Sequence, residues 1–233
     1  MHLSIIIPTL NESGFLDRTL KCLTAQAHHP VEIIVVDGGS TDATESIAKQ
    51  FPVTWLVAPR KGRAIQMNFG AARASGDVLF FLHADCIPPE HFYRHIQQAI
   101  DAGSQAGSFR YRFDKPGLLL RLQTWFIRFP GLVFRGGDQG LFITKNLFQT
   151  IGGYREEFVV MEDYDIIRRI KKHAKPALLP QHAIVSARKY ACNNWLQVQI
   201  ANAVAMTMFL SGRYSPVRIQ STYYRLIRHP KAD

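Results

Sequence analysis

The sequence predicts an α/β fold in which a mostly parallel central sheet carries helices on both faces. Short apolar or β-branched runs, such as Ser4–Ile7 and Val78–Leu82, are typical of strands that are buried on both sides. Segments of helical composition separate these runs, as expected of βαβ units. Each run is followed by polar residues, and ligands of such sheets bind at the carboxyl ends of the strands.

The front half of the chain is expected to alternate strands and helices. Strands are predicted at four places: Ser4–Ile7, Glu32–Val36, Val53–Val57 and Val78–Leu82. Helices are predicted between them: from Asn11 or Ser13 to Ala25, from Thr41 or Asp42 to Gln50, and from Gly62 to Ala74. Pro8 is expected to end the first strand, and the turn Asp37–Ser40 is expected to end the second.

The back half of the chain is less regular. Strands are predicted at Gly107–Phe113 and Leu141–Thr144, and helices at Met161–Ile170 and Asn194–Leu210. Leu118–Phe134 could form an amphipathic helix that a Pro-Gly pair interrupts. Neither an internal repeat nor a linker is recognisable, so one domain over residues 1–233 is expected, with a βαβ half (1–105) and a mixed half (106–233).

The composition is that of a globular protein with an excess of positive charge. The chain has 233 residues, 47% of them hydrophobic, and a formal net charge of +10, which excludes a disordered chain and favours an anionic partner. The three cysteines are far apart and lack CxxC spacing, so a disulfide framework and a zinc site are not indicated. A reducing cytosol is the simplest interpretation of these cysteines. The sequence also has no charge-free apolar stretch long enough to span a membrane.

Acidic residues stand at predicted strand ends or helix starts: Glu12, Asp37, Asp85 and the Glu162-Asp163 pair. Any one of them alone could be a helix cap. Asp37 is more specific, because two glycines follow it and would let a ligand approach the backbone. Its carboxylate could accept a hydrogen bond from a ribose hydroxyl or a base N–H, or it could bond the backbone of its own turn. Neither a GxGxxG fingerprint nor a P-loop is present.

Two further stretches raise the question of phosphate and metal binding. His83-Ala84-Asp85 ends an apolar run, and either closes a strand or presents two hard ligands at the rim of the sheet. Arg60-Lys61-Gly62-Arg63 places three cations at a helix start, where they oppose the helix dipole. Phosphate binding would explain these cations, and a solvated basic turn is the alternative.

The order of these pieces resembles family 2 of the nucleotide-sugar glycosyltransferases, which have the GT-A fold. The matching segments follow one another along nearly the whole chain: Ser4–Glu12, Val35–Asp42, Gly62-Arg63-Ala64 with Asn68, Gly76-Asp77, His83-Ala84-Asp85, Gly152-Gly153-Tyr154 and Glu162-Asp163. The back half looks most like a group of small soluble members associated with arsenosugar biosynthesis or radical-SAM/selenodomain proteins. Gly137–Gly140 and Ser186-Ala187-Arg188 carry this second likeness.

The resemblance implies an inverting, metal-dependent and non-processive transfer of a sugar from a nucleotide-diphosphate sugar to an acceptor hydroxyl. Residues 1–105 would bind the donor, and residues 106–233 would form the acceptor side of a single GT-A domain. Asp163 would be the general base that takes the proton of the acceptor hydroxyl. The substrate-binding residues would be Pro8, Thr9, Glu12, Asp37, Arg60, Arg63, Asn68, His83, Gln139, Glu162 and Arg188.

The metal site implied by the resemblance departs from the family pattern. His83-Ala84-Asp85 stands at the place of the DxD motif, so that its first carboxylate is an imidazole here. Asp85 would bind Mn²⁺ or Mg²⁺, and His83 would be a second ligand or lie near the ribose. The Gln-x-x-Arg-Trp motif of processive members is absent, so a processive polymerase is not expected.

Alternatives and partners stay open on the sequence alone. A nucleotidyltransferase would carry a Gly-rich basic motif after the first strand, and a catalytically weak nucleotide-sugar-binding protein would explain His83. The acceptor could be a small molecule or a lipid, and nucleic acid is not expected to bind. Residues 118–134 could make peripheral contact with a membrane or cover the active site as a core helix. Asn194–Leu210 could be a packing helix or the contact of a homodimer.

Overall fold

The computed structural model describes residues 1–26, 30–115, 117–126 and 140–227. The strands within these ranges form one sheet: β1 (Leu3–Thr9), β2 (Val31–Asp37), β3 (Thr54–Val57), β4 (Val78–Phe81), β5 (Cys86–Ile87), β6 (Ala106–Phe113), β7 (Leu141–Thr144) and β8 (Ala177–Val185). Their order across the sheet is β3-β2-β1-β4-β7-β6-β8-β5. Every strand predicted from the sequence is present, whereas β5 and β8 were not predicted.

The helices flank this sheet or follow it. In chain order they are α1 (Ser13–Thr24), α2 (Thr44–Ala48), α3 (Arg63–Ala71), α4 (Phe92–Asp101), α5 (Leu118–Phe126), α6 (Lys145–Thr150), α7 (Glu162–Ile170), α8 (Lys189–Cys192), α9 (Trp195–Ser211) and α10 (Pro216–Leu226). The sequence predicted α1, α2, α3, α7 and α9 with ends shifted by a few residues, and it missed α4, α6, α8 and α10. Of the helix predicted for residues 118–134, the part up to Phe126 is helical, and the rest lies outside the described residues.

The front of the sheet is parallel and the back is mixed. β2 and β4 flank β1 in parallel register, with Ile5 opposite Ile33 on one side and Phe80 on the other. β7 runs antiparallel between β4 and β6, and β6 pairs in parallel with β8. The carboxyl ends of β1, β2 and β4 therefore meet at one edge of the sheet, as the sequence predicted.

The prediction that Pro8 ends the first strand is wrong, because β1 continues to Thr9. The amide of Leu82 donates to the carbonyl of Ile6, and the amide of Gly38 donates to the carbonyl of Thr9. Alternate residues of β1 thus face β4 and β2, and Pro8 faces the β4 side, where the paired part of β4 has already ended. The missing N–H of proline therefore removes no ladder bond.

Two apolar layers hold the sheet between helices. Ile5 and Ile7 of β1 belong to the core with α1 and α4, and Ile6 belongs to the core with α3 and α7. The alternation follows from the two-residue period of a strand. Because both layers are apolar, β1 is a continuous hydrophobic run, and each fully buried aliphatic side chain contributes about 1.5–3 kcal/mol.

A third apolar cluster joins α9 to α10. Ala201, Ala205 and Phe209 of α9 pack with Ile219 and Tyr223 of α10. This confirms that α9 is a packing helix, while its part in a dimer stays a prediction. Within the described ranges, no helix combines the length and the apolar character that a membrane crossing requires.

Candidate active site

A cleft of about 1350 Å³ opens at the carboxyl edge of the parallel strands. The ends of β1 and β4, the first turns of α3 and α7, and the helices α9 and α10 form its walls. Nine of the residues predicted for the site line it: Pro8, Thr9, Glu12, Arg63, His83, Asp85, Glu162, Asp163 and Arg188. The fold thus brings together residues as distant in the chain as Glu12 and Arg188, which lie 176 positions apart.

Arg63 links three of these residues on one side of the cleft. Its guanidinium pairs with the buried carboxylate of Glu162 and lies 3.5 Å from Oδ2 of Asp163. Its Nη1 lies 3.5 Å from Nδ1 of His83. The cation at the start of α3, which the helix dipole disfavours, is therefore stabilised by the two carboxylates that begin α7.

The entry into α7 places the two carboxylates. Met161 precedes the helix with φ of 74°, a left-handed conformation that costs a non-glycine residue about 1–3 kcal/mol. This turn directs Glu162 and Asp163 into the first turn of α7, where the positive end of the helix dipole favours carboxylates.

Two buried polar atoms beside this network have no hydrogen-bond partner among the described residues. They are Oε2 of Glu162 and the hydroxyl of Tyr154. Burial raises the pKa of Tyr154 well above 10, and the nearby charges of Asp163 and Glu162 raise it further. The side chain of Glu162 is 0% exposed, so its second carboxylate oxygen is shielded from the open cleft.

Arg188 forms the corresponding network on the other side. Its two Nη atoms donate to the two carboxylate oxygens of Glu12 at 2.8 Å each, and its Nε lies 3.0 Å from Oδ2 of Asp85. The guanidinium also lies 4.7 Å from the ring centre of Phe15. This bidentate, stacked geometry is one that lysine could not reproduce.

Asp37 is buried and does not line the cleft. Its Oδ2 accepts hydrogen bonds from the amides of Gly39 and Ser40 at 2.8 Å each, and Thr9 lies 3.4 Å from Oδ1. The carboxylate thus bonds the backbone of its own turn, as one of the two sequence-based interpretations held. Its contact with a nucleotide stays a prediction.

Three more predicted residues lie away from the cleft or outside the described residues. Arg60 pairs with Glu156 at the surface at 2.7 Å. Asn68 bonds both backbone groups of Tyr154, donating to the carbonyl at 2.8 Å and accepting from the amide at 2.9 Å. Asn68 therefore fixes the loop before α7 rather than lining the cleft. Gln139 lies outside the described residues.

The sequence analysis missed a polar hub on the far wall of the cleft. Oε1 of Gln123 in α5 accepts hydrogen bonds from the hydroxyl of Tyr190 at 3.1 Å, from Nε1 of Trp195 at 3.2 Å and from Nε2 of Gln199 at 3.1 Å. All four residues line the cleft. Because the hub is assembled from different helices, no local motif could have revealed it.

Gln66 is a second residue that the sequence analysis missed. Its Nε2 donates to the carbonyls of Thr9 and Val36 at 2.7 Å each, which ties α3 to the ends of β1 and β2. It lines the cleft one helical turn after Arg63. That spacing places both residues on one face of α3, so Gln66 could have been identified as a site residue from the sequence.

Asp85 and His83 are the residues that could hold a metal ion. Both line the cleft at the end of β4. No cluster of three or more His, Cys, Asp or Glu able to hold a metal occurs among the described residues. Mg²⁺ and similar ions at phosphate sites commonly use one or two carboxylates and complete their shell with water and substrate oxygens. Asp85 and His83 supply two ligands, so a cation bound by them would need further oxygens from water or substrate to complete its shell.

Comparison with known proteins agrees with this geometry. The family model described as "Glycosyl transferase family 2" matches residues 4–160. A similar protein is the "PGL/p-HBAD biosynthesis glycosyltransferase" of Mycobacterium bovis (strain BCG / Pasteur 1173P2). The two are 29% identical over 210 residues, which cover 80% of this chain and 75% of that protein.

Two solved structures show the same fold. The mannosyltransferase PcManGT from Pyrobaculum calidifontis, in complex with GDP-Man and Mn²⁺, matches with a TM-score of 0.70 at 16% identity, covering 96% of this chain and 68% of that chain. Glucosyl-3-phosphoglycerate synthase from Mycobacterium tuberculosis, in complex with Mn²⁺, UDP and glucosyl-3-phosphoglycerate, matches with a TM-score of 0.64 at 19% identity, covering 99% and 81%. These likenesses confirm the predicted GT-A fold class. The family model spans well over half of the chain, and the chain belongs to glycosyl transferase family 2.

Proposed function

We propose that the chain transfers a sugar from a nucleotide-diphosphate sugar to an acceptor hydroxyl, with inversion at the anomeric carbon. The observation that carries this proposal is the pair of arginine–carboxylate networks that face one cleft. Arg63 holds Glu162 and Asp163, and Arg188 holds Glu12 and Asp85. The same pocket thus contains arginines that could bind an anionic diphosphate and a carboxylate that could act as the general base.

The donor would lie along the edge formed by β1, β2 and β4. Pro8, Thr9 and Glu12 would contact the base and ribose, with Asp37 supporting the turn beside them. The guanidinium of Arg188 would turn from Asp85 to the diphosphate, because phosphate oxygens accept bidentate hydrogen bonds as carboxylates do. This exchange would free Asp85 as a metal ligand, with His83 as the second candidate.

The chemical step would be a single displacement. The acceptor oxygen forms a bond to the anomeric carbon, the bond from that carbon to the diphosphate oxygen breaks, and Asp163 takes the acceptor proton. Arg63 would hold Asp163 and Glu162 in position through its ion pairs with their carboxylates. Mn²⁺ or Mg²⁺, when bound, would neutralise charge on the leaving diphosphate.

The named complexes support the choice of donor and metal. One similar structure contains GDP-Man and Mn²⁺, and another contains UDP and Mn²⁺. For this chain we propose a nucleotide-sugar donor, a divalent cation, and a small-molecule or lipid acceptor. We also propose a non-processive enzyme, a single domain over residues 1–233, and a cytoplasmic or membrane-associated location. Placement in the arsenosugar or selenodomain subgroup rests on the sequence likeness alone.

Calorimetric titration with UDP, GDP and dTDP, with and without Mn²⁺, tests the donor site. Binding of one nucleotide that requires Mn²⁺ and is lost in Asp85→Ala would support the proposal and identify the base. Asp101→Ala, which removes an exposed carboxylate at the end of α4, is the matched control and should bind normally. Equal binding by both variants would show that Asp85 does not hold the metal. Nucleotide binding without any sugar transfer would instead favour a binding protein.

A further inference from the structure

Helix α9 presents an apolar stripe to solvent. Leu196, Ile200, Ala203, Thr207 and Leu210 recur every three or four residues and are exposed. The three large residues at Leu196, Ile200 and Leu210 are 61%, 49% and 53% exposed. The helix contains no Asp, Glu, Lys or Arg. The exposed face of a helix is normally polar, so a contiguous apolar stripe of this kind indicates a binding surface.

The turn after α9 extends this stripe and adds positive charge. Tyr214 and Val217 are exposed, as are Arg213 and Arg218. The guanidinium of Arg218 lies 5.7 Å from the ring centre of Tyr214. We call the large residues of the stripe together with these four residues the α9 surface. Its mixture of aliphatic, aromatic and arginine side chains matches the boundary between lipid headgroups and acyl chains.

Further apolar residues lie beside the other end of α9. Leu118, Leu119, Leu122 and Trp125 of α5 are exposed. The hydrogen bonds that Gln123 accepts from Trp195 and Gln199 hold α5 against the first turns of α9. These hydrogen bonds place α5, which carries the exposed apolar residues, beside the start of α9.

The segment that carries the α9 surface is basic. Residues 194–227, which include α9 and α10, contain Arg213, Arg218 and Arg225, all three exposed, and no Asp or Glu. This positive charge favours an anionic partner. It disfavours a second copy of the chain, because two such surfaces would repel each other.

The apolar stripe of α9, from which the α9 surface is built, also borders the cleft. Ala203, Thr207 and Leu210 line the cleft, as does the half-exposed Tyr224 of α10. A bilayer in contact with the α9 surface would therefore lie at the mouth of the pocket that contains Asp163.

We propose that the α9 surface docks on an anionic lipid bilayer. The leucine and isoleucine side chains enter the interface, and Arg213 and Arg218 contact the anionic headgroups. Docking of this kind places the cleft where acceptors held in the membrane can enter it. The docking itself does not depend on the proposed sugar transfer.

Vesicle co-sedimentation of the full chain tests the proposal. The vesicles consist of phosphatidylcholine alone or of phosphatidylcholine mixed with phosphatidylglycerol, at low and high salt. Wild type should bind the anionic vesicles, and high salt should weaken the binding. The triple variant Leu196→Gln/Ile200→Gln/Leu210→Gln should lose at least tenfold in affinity. The double variant Arg213→Gln/Arg218→Gln should lose roughly 25-fold, since each cation near an anionic surface contributes about fivefold.

Matched controls separate docking from general surface properties. Val57→Gln removes an exposed apolar residue on β3, and Lys49→Gln/Arg94→Gln removes two exposed cations elsewhere. Both controls should bind as wild type does, and thermal melts should show all variants folded because every substituted residue is exposed. The proposal fails if wild type does not bind anionic vesicles, or if both α9 variants bind unchanged. It also fails if sedimentation velocity shows that the triple variant has lost self-association while its binding to vesicles is unchanged.

Discussion

Replacing Arg63 by methionine should destabilise the protein far more than removing another cation of the same turn. Among the described residues, Arg63 is the ion-pair partner of Glu162, whose side chain is 0% exposed. Breaking a buried ion pair from one side costs about 3–5 kcal/mol. Because the Arg63 side chain is itself 39% exposed, water screens part of this loss, and we expect about 2–3 kcal/mol. Urea denaturation followed by circular dichroism measures the difference.

Arg60→Met is the matched control for this prediction. Arg60 pairs with Glu156, but the two side chains are 70% and 41% exposed, so the cost should be below about 1 kcal/mol. The double variant Arg63→Met/Glu162→Gln should regain most of the stability, because it removes the stranded buried charge. Equal losses in Arg63→Met and Arg60→Met, or no recovery in the double variant, would show that Arg63 does not stabilise the protein by neutralising the buried Glu162.

Two further predictions concern the scaffold. A Cβ on Gly107 would clash with Cζ of Phe142, so Gly107→Ala should lower the free energy of unfolding by about 3 kcal/mol in a urea titration. Gly14→Ala is the control: its Cβ would have no atom within 4 Å, so its effect on stability should be neutral or slightly favourable. For Asp42, burial raises the pKa, but hydrogen bonds led by the hydroxyl of Thr44 lower it to about 2. The ionised Asp42 carboxylate should therefore stabilise the protein fully above about pH 4, and this stabilisation should be lost as the pH falls through about 2. NMR titration of the carboxyl carbon measures the pKa, and a value near 4 would contradict this prediction.

Three strands of the front half, β1, β2 and β4, were predictable because they are largely buried on both faces. β1, β2 and β4 read as continuous apolar runs, and the glycine-containing turn after β2 marks its end. The back half was harder. β8 is only partly buried and contains Pro180, so it has neither a continuous apolar run nor a clear alternation. α10 had a usable signal that was missed, since Ser215 caps it and Pro216 occupies its first turn.

The positions of the candidate site residues were easier to predict than their partners. Asp85 and Glu162 stand at a strand end and a helix start, which local patterns reveal. The pairing of Arg63 with Glu162 spans 99 residues, and that of Arg188 with Glu12 spans 176. Only the folded sheet brings such residues together, so no local pattern could predict these contacts. For Asp37 the local pattern was compatible with two structures, a ligand contact and a turn in which the carboxylate bonds its own backbone, so the sequence could not decide between them.

We propose that one cleft binds the donor and performs the transfer, with Asp163 as the base. The most direct test uses the sugar form of the nucleotide found by calorimetry and measures release of nucleoside diphosphate by wild type and Asp163→Asn. We predict unchanged donor affinity and a turnover that falls by about 10²–10⁴-fold in the variant, with Asp101→Asn as an unaffected control. Unchanged turnover in Asp163→Asn would show that Asp163 is not the general base.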